Sequence, residues 1–286
     1  MRALWGGFHR GAIVHAGGAF SGGGRIRRME STTASNASRS IACQSWRPVL
    51  RFSLRALLIA LTAICIWLGV KVNHARNNRQ AIDAARSMGA FIEYAHQFPK
   101  GYGKPGSRRD GNAQPPGPAW LRNLVGDEYF VSVVGLQFLK ETPADDDLAK
   151  LSPLTDLRFL SFQSRSPERL TGSGLSHLRA MQKLRTLDFN GQHITDDALR
   201  HLRPLQQLNF VSLHNTKVTD AGMVHLKELK NLTAVSVSST AVSDLGLLRL
   251  KDVPKLSNII ARNTTITDAG VEQLKAISPH CKVDRE

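Results

Sequence analysis

Three histidines, His177, His201 and His225, recur 24 residues apart, and Asp196, Asp220, Asp244 and Asp268 recur at the same step. Stacked neutral imidazoles are potential metal ligands, and carboxylates at a fixed spacing could serve catalysis. The repetition itself argues against both. A catalytic or metal-binding group is used once or in a single cluster, whereas the aspartate returns in four successive units. The histidine column also continues as Arg249 and Gln273, and each histidine stands beside a regularly spaced leucine. The histidines therefore read as solvated residues on the helical side. The aspartates read as caps for exposed amides at helix starts, where the helix dipole also favours an acid. No Gly-rich phosphate loop, Ser/His/Asp arrangement or metal-spaced Cys/His cluster stands out, so no catalytic, cofactor-binding or metal residue is assigned and the chain is expected not to be an enzyme.

The spacing points to the elements that must carry these residues. Leu178, Leu202, Leu226, Leu250 and Leu274 keep the 24-residue step, as do Leu184, Leu208, Leu232 and Leu256. So do Leu187, Val211, Val235 and Ile259, then Ile194, Val218, Val242 and Ile266. One earlier repeat is longer by three residues, placed within 163–168, and an irregular first copy begins near Val133. Six strand-bearing units result. Within one of them, "LRTLDF" alternates as a half-buried strand does, and "ITDDALRHL" has helical spacing. A unit this short cannot bury its apolar side alone, so units must stack into one core. Polar residues at Gln192, Thr216, Thr240 and Thr264, where each strand turns out, are expected to satisfy backbone groups of the neighbouring coil.

The composite "LxxLxLxxTxITDAGLxxL" resembles the leucine-rich repeat in a variant with Thr in place of the usual Asn. That resemblance implies an α/β fold: a leucine-rich-repeat solenoid with a parallel β-sheet on its concave face and helices on its convex face, here preceded by one transmembrane helix. The layout is similar to leucine-rich-repeat membrane proteins of planctomycete-type bacteria. "ISPHCKV" resembles the terminal cap of such arrays, which implies that Cys281 packs inward. The match covers roughly residues 130–286 and is specific for fold, not for function.

The membrane segment is read from "RFSLRALLIALTAICIWLGVKV". Its uncharged run, Ala56 to Val70, is flanked by Arg51, Arg55 and Lys71, with Trp67 near one end. Basic flanks can snorkel and an indole suits the interface, so 51–72 is expected to cross the lipid bilayer. Cleavage as a signal peptide is the rival reading; "VKVNHARNN" offers it a poor site. The nine arginines before the run favour a cytoplasmic N-terminus and an extracytoplasmic repeat domain, in a cell (inner) membrane. An inverted orientation would make the chain a cytoplasmic regulatory adaptor.

The expected organisation is a basic disordered arm over 1–50, the span 51–72, a juxtamembrane helix and short strand over 73–98, a Gly/Pro-rich linker 99–118 and the repeat domain 119–286. Met29 offers a second start, which would leave 1–28 outside the native product. A helix at "AWLRNLV" is placed to cover the open end of the repeats. Most of the formal net charge of +15 belongs to the arm and the flanks of the apolar run: residues 1–80 hold 12 Lys+Arg against one acid, while 121–286 hold 21 against 19. A near-neutral repeat domain argues against a nucleic-acid groove. Cys43, Cys65 and Cys281 are too scattered for a metal site or a disulfide framework.

What remains is recognition. The outward strand positions are Phe159, Ser161 and Gln163; Thr186, Asp188 and Asn190; Phe210, Ser212 and His214; Ala234, Ser236 and Ser238; Asn258, Ile260 and Arg262. Aromatic positions amid small polar residues suit a protein or peptide partner. The expected site comprises Phe159, Ser161, Asp188, Asn190, Phe210, Ser212, His214, Ser236, Ser238, Asn258, Ile260 and Arg262.

Overall fold

The computed structural model describes residues 54–101, 108–163 and 170–285. The expectations for the basic arm, for Met29 and for the extra residues of the longer repeat fall outside or almost wholly outside these residues. Described elements run α1 (Leu54–Ser87), β1 (Ala90–Tyr94), α2 (Ala119–Val125), β2 (Val133–Phe138), α3 (Leu148–Leu151), β3 (Phe159–Phe162) and β4 (Thr186–Asp188). They continue through α4 (Asp196–Leu199), β5 (Phe210–Ser212), β6 (Ala234–Ser236), α5 (Asp244–Arg249), β7 (Asn258–Ile260), α6 (Asp268–Ile277) and β8 (Lys282–Asp284).

All eight strands form one sheet in chain order. β2 to β8 pair in parallel, and β1 pairs antiparallel with β2. The register is strict: Leu187 lies beside Val211, Val211 beside Val235 and Val235 beside Ile259, so the 24-residue step becomes a lateral step of one strand. The strands are short, but the ladder outlasts them. Phe189, Leu213, Val237 and Ala261 each donate an amide to the next coil at 2.7 to 3.0 Å. Beneath the sheet, the periodic leucines, valines and isoleucines form one buried core from Val133 to Cys281. Cys281 is buried, and burial raises its thiol pKa.

Three expectations need correction or refinement. The convex segments are helical as expected but not uniformly α: Ser173–Ala180 and Gly222–Glu228 are 3-10 helices and α4 is a single α turn, while α5 and α6 are α-helices. A full helix is about 10 Å wide, whereas neighbouring strands stand about 4.8 Å apart. Narrower segments let coils stay closer on the convex side.

The threonines of the polar column at the strand ends bond within their own coil rather than to the neighbour. Thr216, Thr240 and Thr264 donate their hydroxyls to the carbonyls of Leu213, Val237 and Ala261, three residues back.

The third correction concerns the cover on the first coil. α2 buries none of its residues. The cover is the C-terminal half of α1, where Ala81, Ile82 and Ala85 enter the core, followed by Met88 and by Ala90, Ile92 and Tyr94 of β1, which pack against it. Small alanines allow α1 to lie close to the coil beneath. The apolar N-terminal half of this helix is continuous with that cover and contributes no buried residue before Ala75.

Four successive coils turn through a left-handed residue in one column: Gly191, Asn215, Ser239 and Asn263, with φ of 73°, 52°, 55° and 53°. Glycine and asparagine tolerate this region; serine does so less readily. Ser239→Gly is expected to stabilise the chain by about 0.5 kcal/mol, and Ser239→Val to cost more than 1 kcal/mol or so. A urea titration of the full chain in mild detergent checks both, and equal midpoints would refute the strain.

Candidate functional site

The outward face of the sheet is built by register. Phe159, Thr186, Phe210, Ala234 and Asn258 form one row, and Ser161, Asp188, Ser212, Ser236 and Ile260 the next. The structure brings these together as the strand alternation implied. β1 extends them: Glu93 lies beside Gly135 in the first row, and Phe91 beside Gln137 in the second. Sequence reasoning missed Phe91 and Glu93 as face residues. Their alternation with Ala90, Ile92 and Tyr94 in "AFIEY" was the available signal. Arg109 stacks over Phe91 with its guanidinium carbon 4.7 Å from the ring centre, and its Nε donates to Gln97 Oε1 at 3.3 Å.

The face is not uniformly accessible. Phe159, Asp188, Asn190, Phe210, His214, Asn258 and Ile260 are half-buried and Arg262 is exposed. Ser161 has 0% exposure, Ser238 4%, Ser236 6% and Ser212 7%. A short side chain between strands about 4.8 Å apart is overhung by its larger neighbours. Those four serines shape the floor and offer a partner almost no area.

Asp188 is the most organised group on this face. Its carboxylate accepts from Ser161 Oγ and Gln163 Nε2, both at 3.1 Å, and from the Asn190 amide at 3.1 Å. Ser238 plays a smaller version of the role, accepting the Arg262 amide at 3.0 Å, while the Arg262 guanidinium pairs with Asp284 at 2.7 Å. A carboxylate held from three sides points at solvent in one orientation and presents a fixed acceptor to an incoming donor.

On the opposite side, the aspartate column does something the sequence reading did not assign. Asp220 does not cap its own helix. It accepts the Ser243 amide at 2.7 Å, the Ser243 hydroxyl at 2.6 Å and the Gly246 amide at 3.0 Å, all from the next coil. Asp196 does the same for Thr219, and Asp244 for Thr267. Asp145 does it for Thr171, Gly172 and Gly174. Helix capping falls instead to Ser243 and Thr267, whose side chains accept from Leu245 and Gly270. Burial alone would raise Asp145, but the hydroxyl of Thr171 and the surrounding amides hold its carboxyl below the ordinary value. The Thr267 hydroxyl, then the Thr267 amide, does the same for Asp244. These carboxylates are consumed as inter-coil fasteners.

Among the described residues no group of three or more His, Cys, Asp or Glu could hold a metal ion. His177 is exposed and His201 half-buried. Burial, and then the neighbouring Arg200, lowers the pKa of His201.

No protein-family profile and no curated protein matches this chain. Among solved structures it is similar to internalin C2 from Listeria monocytogenes, at 20% identity over 53% of this chain and 70% of that one, with a TM-score of 0.40. It is also similar to a second internalin from that organism, at 16% identity over 53% and 47% of the two chains, with a TM-score of 0.37. A leucine-rich-repeat protein from Leptospira interrogans is similar at 15% identity, 53% and 36% coverage, and a TM-score of 0.37. The chain thus spans about half of the second and about a third of the third. Its own stacked coils, with a parallel sheet on one side, make it a leucine-rich-repeat-like α/β solenoid.

Proposed function

We propose that this chain is a membrane-anchored recognition module that binds a protein or peptide partner on the outward sheet face and carries out no catalysis. The observation that carries the reading is the arrangement of Phe159, Asp188 and Phe210. The two half-exposed rings share one row two strands apart, about 10 Å, and the braced carboxylate lies between them on the adjacent row. Rings of this kind supply apolar contact area, and a preorganised acceptor supplies orientation.

Anchoring is supported by α1. From Leu54 to Val72 it spans roughly 28 Å of helix, near the hydrocarbon thickness of a bilayer. Its most apolar window has a mean hydropathy of 2.0 with none of it buried. The helix then runs unbroken into the cover on the first coil. Signal cleavage requires an accessible extended site, and an unbroken helix through 73–87 disfavours it, so a retained span is preferred to a released solenoid. The basic arm favours a cytoplasmic N-terminus, which would put the solenoid outside the inner membrane in the manner of Thr-variant leucine-rich-repeat membrane proteins.

The test places a photo-crosslinking residue at Phe210, with exposed Arg200 on the convex side as control, in native membranes. A discrete adduct at Phe210 alone is expected. Equal adducts at both positions, or none at either across growth conditions, would count against recognition by this face.

A further inference from the structure

α2 is amphipathic in the wrong sense for a water-facing helix. Trp120, Leu124 and Val125, at i, i+4 and i+5, are 68%, 75% and 37% exposed. Its charged residue turns inward: the Arg122 side chain is only 13% exposed and pairs with Asp127 at 3.5 Å. Surface helices of soluble domains normally bury the apolar stripe and expose the charge. Seven residues also make too short a helix to persist on intrinsic propensity, so local contacts must hold this inverted orientation.

Its location gives the inversion a meaning. α2 packs on the 3-10 turn Asp127–Tyr129, and that turn packs against α1. The first coil meets α1 shortly after its apolar stretch: Asn78 and Ile82 of α1 line one small cleft with Ser132 and Asp156. Asn78 lies less than about two helical turns beyond Val72, the last exposed large apolar residue of α1.

Resting on the reading that α1 spans a bilayer, we propose that α2 is a second membrane contact: Trp120, Leu124 and Val125 enter the lipid interface of the leaflet from which α1 emerges. Tyr129, 37% exposed, lies on the turn that packs against both α2 and α1. Indole and phenol rings favour the headgroup boundary, and a short apolar face lying in the interface plane gains burial there without crossing. Lys71, Arg76 and Arg79 follow on α1 and suit anionic headgroups. Two contacts, one crossing and one lying flat, fix the tilt of the solenoid relative to the membrane, which a single helix cannot do. The sheet face is then presented at one angle.

The experiment uses the full chain in vesicles of phosphatidylethanolamine and phosphatidylglycerol. One variant keeps only Trp120 and another only Trp67, with the other tryptophans changed to Phe, and lipids brominated near the headgroup end of the chains act as quenchers. Brominated lipid is expected to remove about half or more of the Trp120 emission, and Leu124→Glu, at an exposed position that the fold does not need, to reduce that loss at least about twofold. Quenching of Trp67 with an unquenched, red-emitting Trp120 would overturn the α2 contact while leaving the span intact. A blue-shifted but unquenched Trp120 would mean a protein neighbour, such as a second copy, and would also overturn it. If neither tryptophan is quenched, the spanning reading fails and the α2 contact fails with it.

Discussion

Asp220→Ala is expected to lower the unfolding free energy by about 3 kcal/mol, and Gly246→Ala by a similar amount, although neither residue belongs to the apolar core. The reason is the joint between coils. Removing the Asp220 carboxylate leaves the Ser243 amide, the Ser243 hydroxyl and the Gly246 amide without their acceptor at a half-buried seam. Adding a methyl group at Gly246 attacks the same joint from the other side. That Cβ would fall inside van der Waals contact of Asp220 Oδ1 and 2.8 Å from Val242 Cγ1. Gly270 stands in the same relation to Asp244, and Gly222 to Asp196. Glycine in the "TDAG" phrase is thus dictated by the aspartate of the preceding coil, while the serine or threonine before it supplies the donors. Because both substitutions act on one contact, the double variant should cost at least about 1 kcal/mol less than their sum. Urea unfolding of the four chains in mild detergent measures this. Additivity to within about 0.5 kcal/mol would show that the aspartate and the glycine do not meet, and would remove the fastener from the account.

This joint also shows where the sequence was legible and where it was not. The 24-residue step of Leu187, Val211, Val235 and Ile259 yields strand order, parallel direction and register at once, because a repeat whose neighbours are identical has one way to bury the same face. The sheet face followed from the same alternation, down to the neighbours of Asp188. The recipient of the aspartate bonds did not. A column of Asp at helix starts is equally consistent with capping within a coil and fastening between coils, since spacing along the chain does not distinguish a partner two residues ahead from one 23 residues ahead. The cover on the first coil was misplaced for a related reason. "AWLRNLV" and "QAIDAARSM" both show an apolar stripe, and only packing reveals that the alanine-rich stripe lies on the core while the tryptophan-bearing one faces away from it. Exposure was the third blind spot. Alternation says that Ser161 and Ser236 point outward, but not that the side chains around them close over so small a hydroxyl.

Phe162→Ala is expected to be the most damaging single change in the core, at about 4 kcal/mol. Phe138, Phe162 and Phe189 form a pillar of parallel rings beneath the first three coils, with centres 5.4 and 5.8 Å apart and planes within 6° and 1°. All three are fully buried, and the column continues as Leu213, Val237 and Ala261, each smaller than the last. Removing the middle ring loses its burial, leaves a cavity and breaks two ring–ring contacts, each worth about 1 kcal/mol beyond area. Phe162→Leu should cost less than half as much, because Leu213 already fills the equivalent place two coils later and a branched side chain retains most of the volume. In a solenoid each coil leans only on its neighbours, so the loss should stay regional. Amides of β2 to β4 are expected to lose hydrogen-exchange protection in Phe162→Ala, while those of β6 and β7 keep theirs. Uniform loss from Val133 to Ile260 would instead mean that the coils unfold as one unit. Regional loss would reach function as well, since Ser161 precedes Phe162 in the strand and braces Asp188 across the face. The pillar that holds the first coils together therefore also holds the acceptor in place, and Phe162→Ala should weaken crosslinking at Phe210 even in the folded fraction.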